Sequence, residues 1–232
     1  CSSKTLFAFD FDGTLSKIYS HPQGAHIMDK THQLLCRLNE VAHLAIISGR
    51  YTADLKSHLG FAPQYLVGNH GASGLSLKKP MGLSARHTCR AWKKQILEFL
   101  EELIISGIEL EDNRFTLSIH FRNVRSKRGI KKAIMEKVLQ LSPPPHIVTG
   151  KSVINIIPKG FPNKGDAFKK LLKLSDAKSA FYIGDDDTDE DIFALFMSKV
   201  LTARVGYKNK SRARFYLRRQ SEVNKFLQLI LG

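Results

Sequence analysis

Two aspartates, Asp10 and Asp12, stand at the end of the first apolar run of the chain, and Gly13 and Thr14 follow them. The run Thr5–Phe9 has the length and apolar content of a buried strand, and the glycine indicates a tight turn directly after it. Open parallel sheets bind ligands at the edge where their strands end, so both carboxylates are expected at that edge. Two acids there repel each other unless a cation or a proton lies between them.

A second acidic segment follows another apolar run, since six of the eight residues 184–191 are Asp or Glu. Such a concentration of charge predicts a cation, and ligands that are all oxygens favour a hard ion such as Mg²⁺. An acidic helix start is the alternative, and it accounts for Glu190 and Asp191. It does not account for Asp185 and Asp186, which come straight off a strand.

Two weaker signals suit a phosphate group. Ser48 and Gly49 follow the apolar run 44–47, where a hydroxyl and free backbone N–H groups can bind an anion. A plain Ser-Gly turn is the alternative. Lys164 opens a predicted helix, a place that the helix dipole disfavours for a cation, so a nearby anion is expected. A solvent-exposed lysine is the simpler alternative.

The outer parts of the chain alternate strands and helices, which predicts a parallel sheet covered on both faces. The predicted strands are 5–9, 44–47, 64–67 and 180–183, with helices at 32–41, after Gly165 and from 191 to 197. The middle differs, with helices 85–105 and 129–141 and strands 108–111, 115–121, 146–148 and 152–157. We therefore expect a core of residues 1–79 and 159–232 and an inserted α+β domain of residues 80–158.

Composition bounds the remaining possibilities. The 232 residues are 43% hydrophobic and 25% charged, which is ordinary for a globular protein, and no apolar run has the ~20 residues of a membrane span. Cys1, Cys36 and Cys89 form neither a disulfide framework nor a zinc pattern, so a reducing, cytoplasmic location is expected. Cys1 stands where Met is usual, which leaves a preceding leader open.

The charge is unusual, because 36 basic and 21 acidic residues give +15 and a pI near 9.8. Such a surface attracts anions, which could be phosphorylated metabolites, nucleic acid or an anionic membrane. A basic surface that only contacts solvent is the simpler alternative, and it is favoured for most of these residues. The basic segments 122–128 and 208–212 could contact polyanions, but they match no nucleic-acid motif. We expect a monomer that binds a small molecule, with neither nucleic acid nor membrane as a partner.

The four chemical segments, in this order, resemble the motifs of the haloacid dehalogenase superfamily. Asp10 and Asp12 match its DxDGT motif, Ser48 its second motif, Lys164 its third, and Asp185 with Asp189 its fourth. The insertion resembles a C2-type cap. Further segments look like the trehalose-6-phosphate phosphatase family: IISGR at 46–50, GNHGA at 68–72, NKG at 163–165, GDDDTDE at 184–190, LEDN at 110–113 and LSIHFR at 117–122.

This resemblance implies an α/β fold with a Rossmann-like core, a parallel sheet and an inserted α+β cap domain. It implies Mg²⁺-dependent hydrolysis of a sugar phosphate, with Asp10 as the nucleophile that becomes an aspartyl phosphate and Asp12 as acid and base. Ser48 and Lys164 would hold the phosphate. The implied metal site comprises Asp10, Asp12 through its backbone carbonyl, Asp185, Asp186 and Asp189. The implied substrate-binding residues are Thr14, Gly49, Arg50, Asn69, His70, Glu111, Asn113, His120, Arg122 and Asn155.

The chain departs from the family at the sugar-binding set of the cap. Glu111 matches the first acid, but Asn113 stands in place of the expected Lys and Asn155 in place of the expected Glu. Neutral amides make weaker hydrogen bonds than charged groups. Trehalose 6-phosphate is therefore a hypothesis, with sucrose 6-phosphate, a mannosyl-phosphoglycerate-like ester and hexose phosphates as alternatives. A nucleic-acid-binding protein and a sugar-phosphate sensor on the same scaffold also remain open.

Overall fold

The computed structural model describes residues 4–19, 21–75, 79–103 and 107–232, so Cys1 and Ile105 lie outside the described residues. The described strands are β1 (Thr5–Phe9), β2 (His43–Ile47), β3 (Tyr65–Val67), β4 (Glu109–Asp112), β5 (Leu117–His120), β6 (His146–Gly150), β7 (Val153–Ile157), β8 (Ser179–Gly184), β9 (Val200–Val205) and β10 (Phe215–Leu217). The described α-helices are α1 (Asp29–Val41), α2 (Thr52–Leu59), α3 (Lys79–Leu103), α4 (Lys127–Val138), α5 (Lys164–Leu174), α6 (Glu190–Phe193) and α7 (Glu222–Leu231).

Six strands form one parallel sheet in the order β10-β9-β8-β1-β2-β3. All five residues of β1 are buried, as expected for a central strand covered on both faces. Phe7 and Phe9 pack in a cluster with side chains of α1 and α7, whereas Leu6 and Ala8 pack in a second cluster with side chains of α5. The parallel α/β core predicted from the sequence is confirmed.

The order of the central strands brings three chemical segments to one edge of this sheet. β1 lies between β2 and β8, and Phe9 is in register with Ile46 on one side and Ile183 on the other. The residues that directly follow these three strands are Asp10, Ser48 and Asp185. All strands run the same way, so the three side chains start from the same carboxyl edge.

A second compact unit contains an antiparallel sheet in the order β4-β5-β7-β6. Apolar side chains of β5 and β7 alternate with polar ones and pack against α3 and α4 around Trp92, which is fully buried. Helices thus cover one face of this sheet, as the sequence predicts. Among the described helices, none combines the length and apolar content that crossing a bilayer requires.

The chain divides into one unit made of Cys1–Leu75 with Pro162–Gly232 and another made of Ser76–Phe161. The segment expected from the sequence to be inserted, 80–158, lies inside the second of these. This second unit extends a few residues beyond the predicted bounds at each end.

The predicted strands 5–9, 44–47, 64–67 and 180–183 are confirmed to within two residues at each end. The helix predicted at 191–197 is confirmed at its start, where α6 lies, but its end is wrong, because α6 ends at Phe193 and Phe196 adopts a positive φ of 42° that no α-helix contains. The sequence analysis also missed α2, β9, β10 and α7. The alternation in β9 is weak because Arg204, a charged residue, occupies a buried position in it.

Candidate active site

Three buried carboxylates meet at the carboxyl edge of the parallel sheet. Asp10, Asp185 and Asp189 each offer an oxygen, and these oxygens all lie within 4.8 Å of one another. None of the three residues exceeds 4% exposure. Asp10 is fixed by the strand itself, because its backbone N–H donates to the Ile183 carbonyl at 2.9 Å.

Lys164, the first residue of α5, lies in the middle of these acids and is only 2% exposed. Its Nζ donates to Asp10 Oδ1 at 2.8 Å and to Asp189 Oδ1 at 2.7 Å. A solvent-exposed lysine, the simpler alternative from the sequence, is therefore wrong. Burial by itself lowers the pKa of Lys164, but the two carboxylates outweigh it and raise the pKa, so the ammonium stays charged.

One lysine does not balance three buried acids. Burial raises the pKa of Asp10 well above its ordinary value, Asp189 and Asp185 raise it further, and Lys164 opposes them. Burial also raises the pKa of Asp189, but the charge of Lys164 and three hydrogen bonds outweigh burial and lower this pKa. The three carboxylates therefore disfavour one another's ionisation, and a bound cation would relieve this repulsion.

Asp189 is held by three donors at once. Besides Lys164, the hydroxyl of Tyr182 donates to Oδ1 at 2.6 Å and the backbone N–H of Asp186 donates to Oδ2 at 2.8 Å. The sequence analysis missed Tyr182, which reads as an ordinary aromatic residue of the strand. Its place two residues before the acidic turn, on a strand with alternating faces, was the available signal.

Gly13 is required by the close approach of Asp185. Its φ is +83°, and a Cβ at this position would overlap the Asp185 carboxylate. Any side chain here would push the acid away from Asp10. The next residue, Thr14, is fully buried, and its Oγ1 has no hydrogen-bond partner among the residues that the structure describes.

The donor set fits a hard divalent cation. It consists of carboxylate oxygens, the ligands that Mg²⁺ prefers, and the repulsion among the buried carboxylates supplies the reason to bind one. In the described part of the chain this group contains Asp10, Asp185 and Asp189, but not the carboxylates of Asp12 and Asp186. Burial, followed by the charge of Asp189, raises the pKa of Asp186.

The carboxylate of Asp12 forms an ion pair with Arg50. The guanidinium donates through Nε to Asp12 Oδ2 at 2.7 Å and through Nη2 to Oδ1 at 2.8 Å. It also donates to Asp54 Oδ2 at 2.9 Å and to the Pro22 carbonyl at 2.7 Å, and its side chain is 6% exposed. Asp12, by contrast, is 40% exposed. A fixed bidentate pair therefore holds a carboxylate that solvent or a substrate can still reach.

The second motif is braced by the segment after β3. Ser48 is buried, and its Oγ accepts from the Arg50 backbone N–H at 3.2 Å. The backbone N–H groups of Asn69 and His70 donate to the carbonyls of Arg50 and Ser48 at 2.8 and 3.0 Å. A Cβ at Gly49 would come within 2.7 Å of the His70 ring, so glycine lets the imidazole lie on this turn. The structure thus brings these predicted residues together.

Asn69 and His70 both have a positive φ, 50° and 55°. Residues with side chains rarely adopt this region, and asparagine and histidine are among those that do so most often. Both residues are buried. Strain of this kind concentrates at functional sites, which supports their assignment from sequence.

A buried arginine that the sequence analysis missed supports the acidic turn. Arg204 on β9 is 4% exposed, and its Nη1 donates to the Asp186 carbonyl at 2.8 Å and to Glu190 Oε1 at 3.0 Å. Its Nη2 lies 3.7 Å from Asp187. One guanidinium therefore offsets part of the charge of the turn and fixes its backbone.

In the second unit, polar side chains form a row across three neighbouring strands. Glu111 is in register with Ser118, and Ser118 with Asn155, so the three share one face of the sheet. Ser118 Oγ donates to Asn155 Oδ1 at 2.9 Å, and His120 Nε2 lies 2.8 Å from Glu111 Oε2. The sequence analysis missed Ser118, although the alternation of β5 places it on the face of His120.

Two further residues predicted for the sugar lie just beyond the ends of β4 and β5. Asn113 follows β4, is 3% exposed, and donates its backbone N–H to the Thr116 carbonyl at 3.0 Å. The guanidinium of Arg122, beyond the end of β5, lies 3.5 Å from the Lys151 carbonyl.

The parallel sheet with a nucleophile-type aspartate, a serine and an acidic turn at its carboxyl edge defines the haloacid dehalogenase fold. The chain belongs to the trehalose-phosphatase family, whose model matches residues 8–223. It is 31% identical over 247 residues to trehalose-phosphate phosphatase B of Arabidopsis thaliana, covering 96% of this chain and 65% of that relative. It therefore spans slightly less than two thirds of this relative's length.

Solved structures show the same fold. The C-terminal domain of trehalose-6-phosphate phosphatase from C. albicans is 23% identical, with a TM-score of 0.84 and coverage of 100% of this chain and 93% of that one. The C-terminal domain of the Candida albicans trehalose synthase regulatory protein is 14% identical, with a TM-score of 0.70 and coverage of 100% and 94%. The fold thus occurs both in a protein titled as a phosphatase and in one titled as a regulatory protein. The fold alone therefore does not distinguish an enzyme from a regulator, and the residues of the site have to.

Proposed function

We propose that this protein is a phosphatase that hydrolyses a sugar phosphate, with trehalose 6-phosphate as its first candidate substrate. The observation that carries the proposal is the buried contact of Lys164 with Asp10, beside Asp185 at the carboxyl edge of the sheet. An aspartate, a lysine and further carboxylates of the kind that bind metals meet there, and these residue types suit a nucleophile, a phosphate ligand and metal ligands. Membership of the trehalose-phosphatase family supports the substrate class.

Asp10 is the proposed nucleophile. One of its carboxylate oxygens forms a bond to phosphorus while the bond from phosphorus to the sugar oxygen breaks, leaving an aspartyl phosphate. Asp12 gives its proton to the departing sugar oxygen. It then takes a proton from water, whose oxygen attacks phosphorus and releases Asp10 and inorganic phosphate. Such a proton shuttle contributes roughly 10²–10⁴-fold to the rate.

Asp10, Asp185 and the backbone carbonyl of Asp12 are proposed to hold Mg²⁺, with Asp186 and Asp189 shaping the surroundings. The bound ion would supply charge neutralisation between the nucleophile and the phosphoryl oxygens. The repulsion among the buried carboxylates supports this assignment. Because both oxygens of Asp189 already accept hydrogen bonds, Asp189 suits an outer position.

Ser48 and Lys164 are proposed to bind the other phosphoryl oxygens. The bracing of the serine turn by Asn69 and His70 supports a fixed position for its hydroxyl. The buried Thr14 hydroxyl and the Gly49 backbone are proposed to assist. A preorganised set of donors of this kind stabilises the charge that develops in phosphoryl transfer.

Glu111, His120 and Asn155 are proposed to bind the sugar hydroxyls, with Asn113 and Arg122 as further members. Their support is the shared face of Glu111 and Asn155 and the contact of Glu111 with His120. Because two positions carry neutral amides, sucrose 6-phosphate, a mannosyl-phosphoglycerate-like ester and hexose phosphates are the alternative substrates. We also propose that the protein is a monomer. A reducing, cytoplasmic setting is proposed as well, and the free thiols of Cys36 and Cys89 support the reducing part of it.

A phosphate-release assay of the purified protein with Mg²⁺ tests the proposal against a panel of these esters. We expect turnover of trehalose 6-phosphate above the other esters. Preference for a hexose phosphate would move the substrate to the alternative, and binding of the ester without turnover would favour the sensor. Asp10→Asn should abolish phosphate release, whereas Asp29→Asn, a matched change at an exposed position of α1, should not.

Chelation tests the metal separately. Excess chelator should silence phosphate release, and added Mg²⁺ should restore it because the buried acids then regain their counter-charge. Magnesium should also raise the melting temperature of the wild-type protein and not that of an Asp185→Asn variant. Full activity in excess chelator would remove the metal from the proposal.

A further inference from the structure

A groove on the first unit lies away from the acids described above. It has a volume of about 840 Å³ and lies between the end of α5, the loop to β8 and the loop before β9. This volume is within the range of roughly 300–1,000 Å³ that small-molecule sites occupy. Its lining residues are Lys169, Leu172, Lys173, Asp176, Ala177, Lys178, Leu195, Met197 and Lys199.

The floor of the groove is apolar. Leu172 and Ala177 are 5% and 3% exposed and belong to the core cluster beneath the sheet, while Leu195 and Met197 are half-buried against the same cluster. Such a floor suits the flat face of a ring or an aliphatic body.

The rim of the groove is cationic. Lys169, Lys173, Lys178 and Lys199 are all exposed, and the one acid in the lining, Asp176, lies 3.6 Å from Lys178. The helix dipole favours a cation in the last turn of α5, which accounts for Lys173. It does not account for the other three lysines, which come from three different stretches of chain.

Exposed apolar side chains flank the groove. Phe196, between two lining residues, is 64% exposed at a positive φ of 42°, and Leu174 is 56% exposed. A phenylalanine both strained and turned to solvent has no explanation in the packing of the core. Apolar contact surface therefore continues beyond the floor.

The groove is distinct from the candidate active site. Ser179 and Val200 begin β8 and β9 at the amino edge of the sheet, whereas Asp185 follows β8 at the carboxyl edge. The six residues of β8 separate these edges by about 20 Å. Helix α5 connects the two regions, since it begins at Lys164 and carries Lys169 and Lys173 further along.

We infer that this groove is a second ligand site, for a small molecule that combines a flat apolar ring with two or more phosphate groups, as in a nucleoside di- or triphosphate. The ring would lie on the apolar floor, and the phosphates would contact the lysines, which bind phosphate as point charges. This assignment does not depend on the proposed phosphatase activity.

Isothermal titration of the full chain with ATP, without added metal, tests this site. We expect saturable binding of one ATP that is at least about tenfold weaker in a Lys169→Glu, Lys173→Glu double variant, because two attractive charges become repulsive. Lys56→Glu is the matched control, since Lys56 is exposed on α2, across the sheet from α5. Leu195→Asp, which makes the floor polar without touching a lysine, should weaken binding as well.

Further arms of the titration separate the ring from the phosphates. Tripolyphosphate and adenosine should each bind more weakly than ATP, because each engages only the rim or only the floor. ATP binding that is unchanged in both variants, equally weakened by Lys56→Glu, or displaced by inorganic vanadate would overturn the assignment. Vanadate displacement would place the nucleotide in the active site. Phosphate release by the two variants, which lie far from Asp10, should equal that of the wild type.

Discussion

The guanidinium of Arg50 holds both carboxylate oxygens of Asp12, at 2.7 and 2.8 Å. The same guanidinium also donates to Asp54 and to the Pro22 carbonyl, so these donors too are directed at the protein. Only 6% of the arginine side chain is exposed. These contacts favour a role in positioning Asp12 over the direct substrate contact that the sequence resemblance implies.

Replacing this arginine by lysine should separate the two roles. Arg50→Lys keeps the charge but loses the fork that fixes a carboxylate in one orientation. We expect kcat to fall by about 10²-fold, the lower range of what a general acid and base contributes, while KM changes little. Steady-state kinetics on the best sugar phosphate measures both constants.

The matched control is Arg37→Lys, the same change at an exposed position of α1. It should leave both constants unchanged. A rise in KM at constant kcat for Arg50→Lys would instead assign the guanidinium to the substrate phosphate, since lost ground-state binding has that signature.

Lys164 gives a prediction about stability. Lys164→Met removes the ammonium from between Asp10 and Asp189 and leaves two buried carboxylates without their cation. Breaking a buried pair in this way costs about 3–5 kcal/mol of unfolding free energy. Urea unfolding without added metal measures it, with Lys56→Met at an exposed position as the control.

A double variant makes the Lys164 prediction specific. If the cost arises from stranded charge, Lys164→Met combined with Asp10→Asn should be less destabilised than the sum of the two single variants. Additive effects would contradict the stranded-charge explanation and indicate loss of side-chain packing alone.

The sequence was sufficient to predict the position of a polar residue that directly follows a strand. Asp10, Ser48 and Asp185 each follow an apolar run of strand length, and a parallel sheet brings such ends to one edge. The spacing of Lys164 from Asp10, 154 residues along the chain, carries no such rule, so their contact had to come from the fold. From the sequence, the only reason to place Lys164 near Asp10 was that both match motifs of a known family.

Residues that support others were the hardest to predict. Tyr182 and Arg204 lie on strands where an aromatic residue reads as core and an arginine reads as surface. Their functions depend on which neighbour the strand order places beside them. The excess length of the helix predicted at 191–197 has a similar cause, because the apolar residues after Phe193 belong to a turn around Phe196 and not to α6.

Tyr182 should contribute through its hydroxyl alone. Tyr182→Phe keeps the ring against Phe168 and Phe193 but removes the 2.6 Å hydrogen bond to Asp189. Hydrogen bonds to charged groups are worth about 1.5–3 kcal/mol, so we expect a loss of that size in unfolding free energy. Tyr207→Phe, at a 72% exposed tyrosine, is the control. Equal stability of both variants would show that the Asp189 contact carries no net energy.

Cys89 should resist alkylation in the folded protein. Burial, followed by the charge of Asp112, raises the pKa of its thiol to about 12, so at pH 8 only about one molecule in ten thousand carries the reactive thiolate. Cys36 is half-buried, and burial with Glu40 raises its pKa less. Iodoacetamide labelling followed by peptide mass analysis should therefore modify Cys36 before Cys89.

In urea both should react at similar rates, because unfolding removes the burial that sets them apart. Labelling of Cys89 as fast in the folded state as in urea would contradict its buried position on α3.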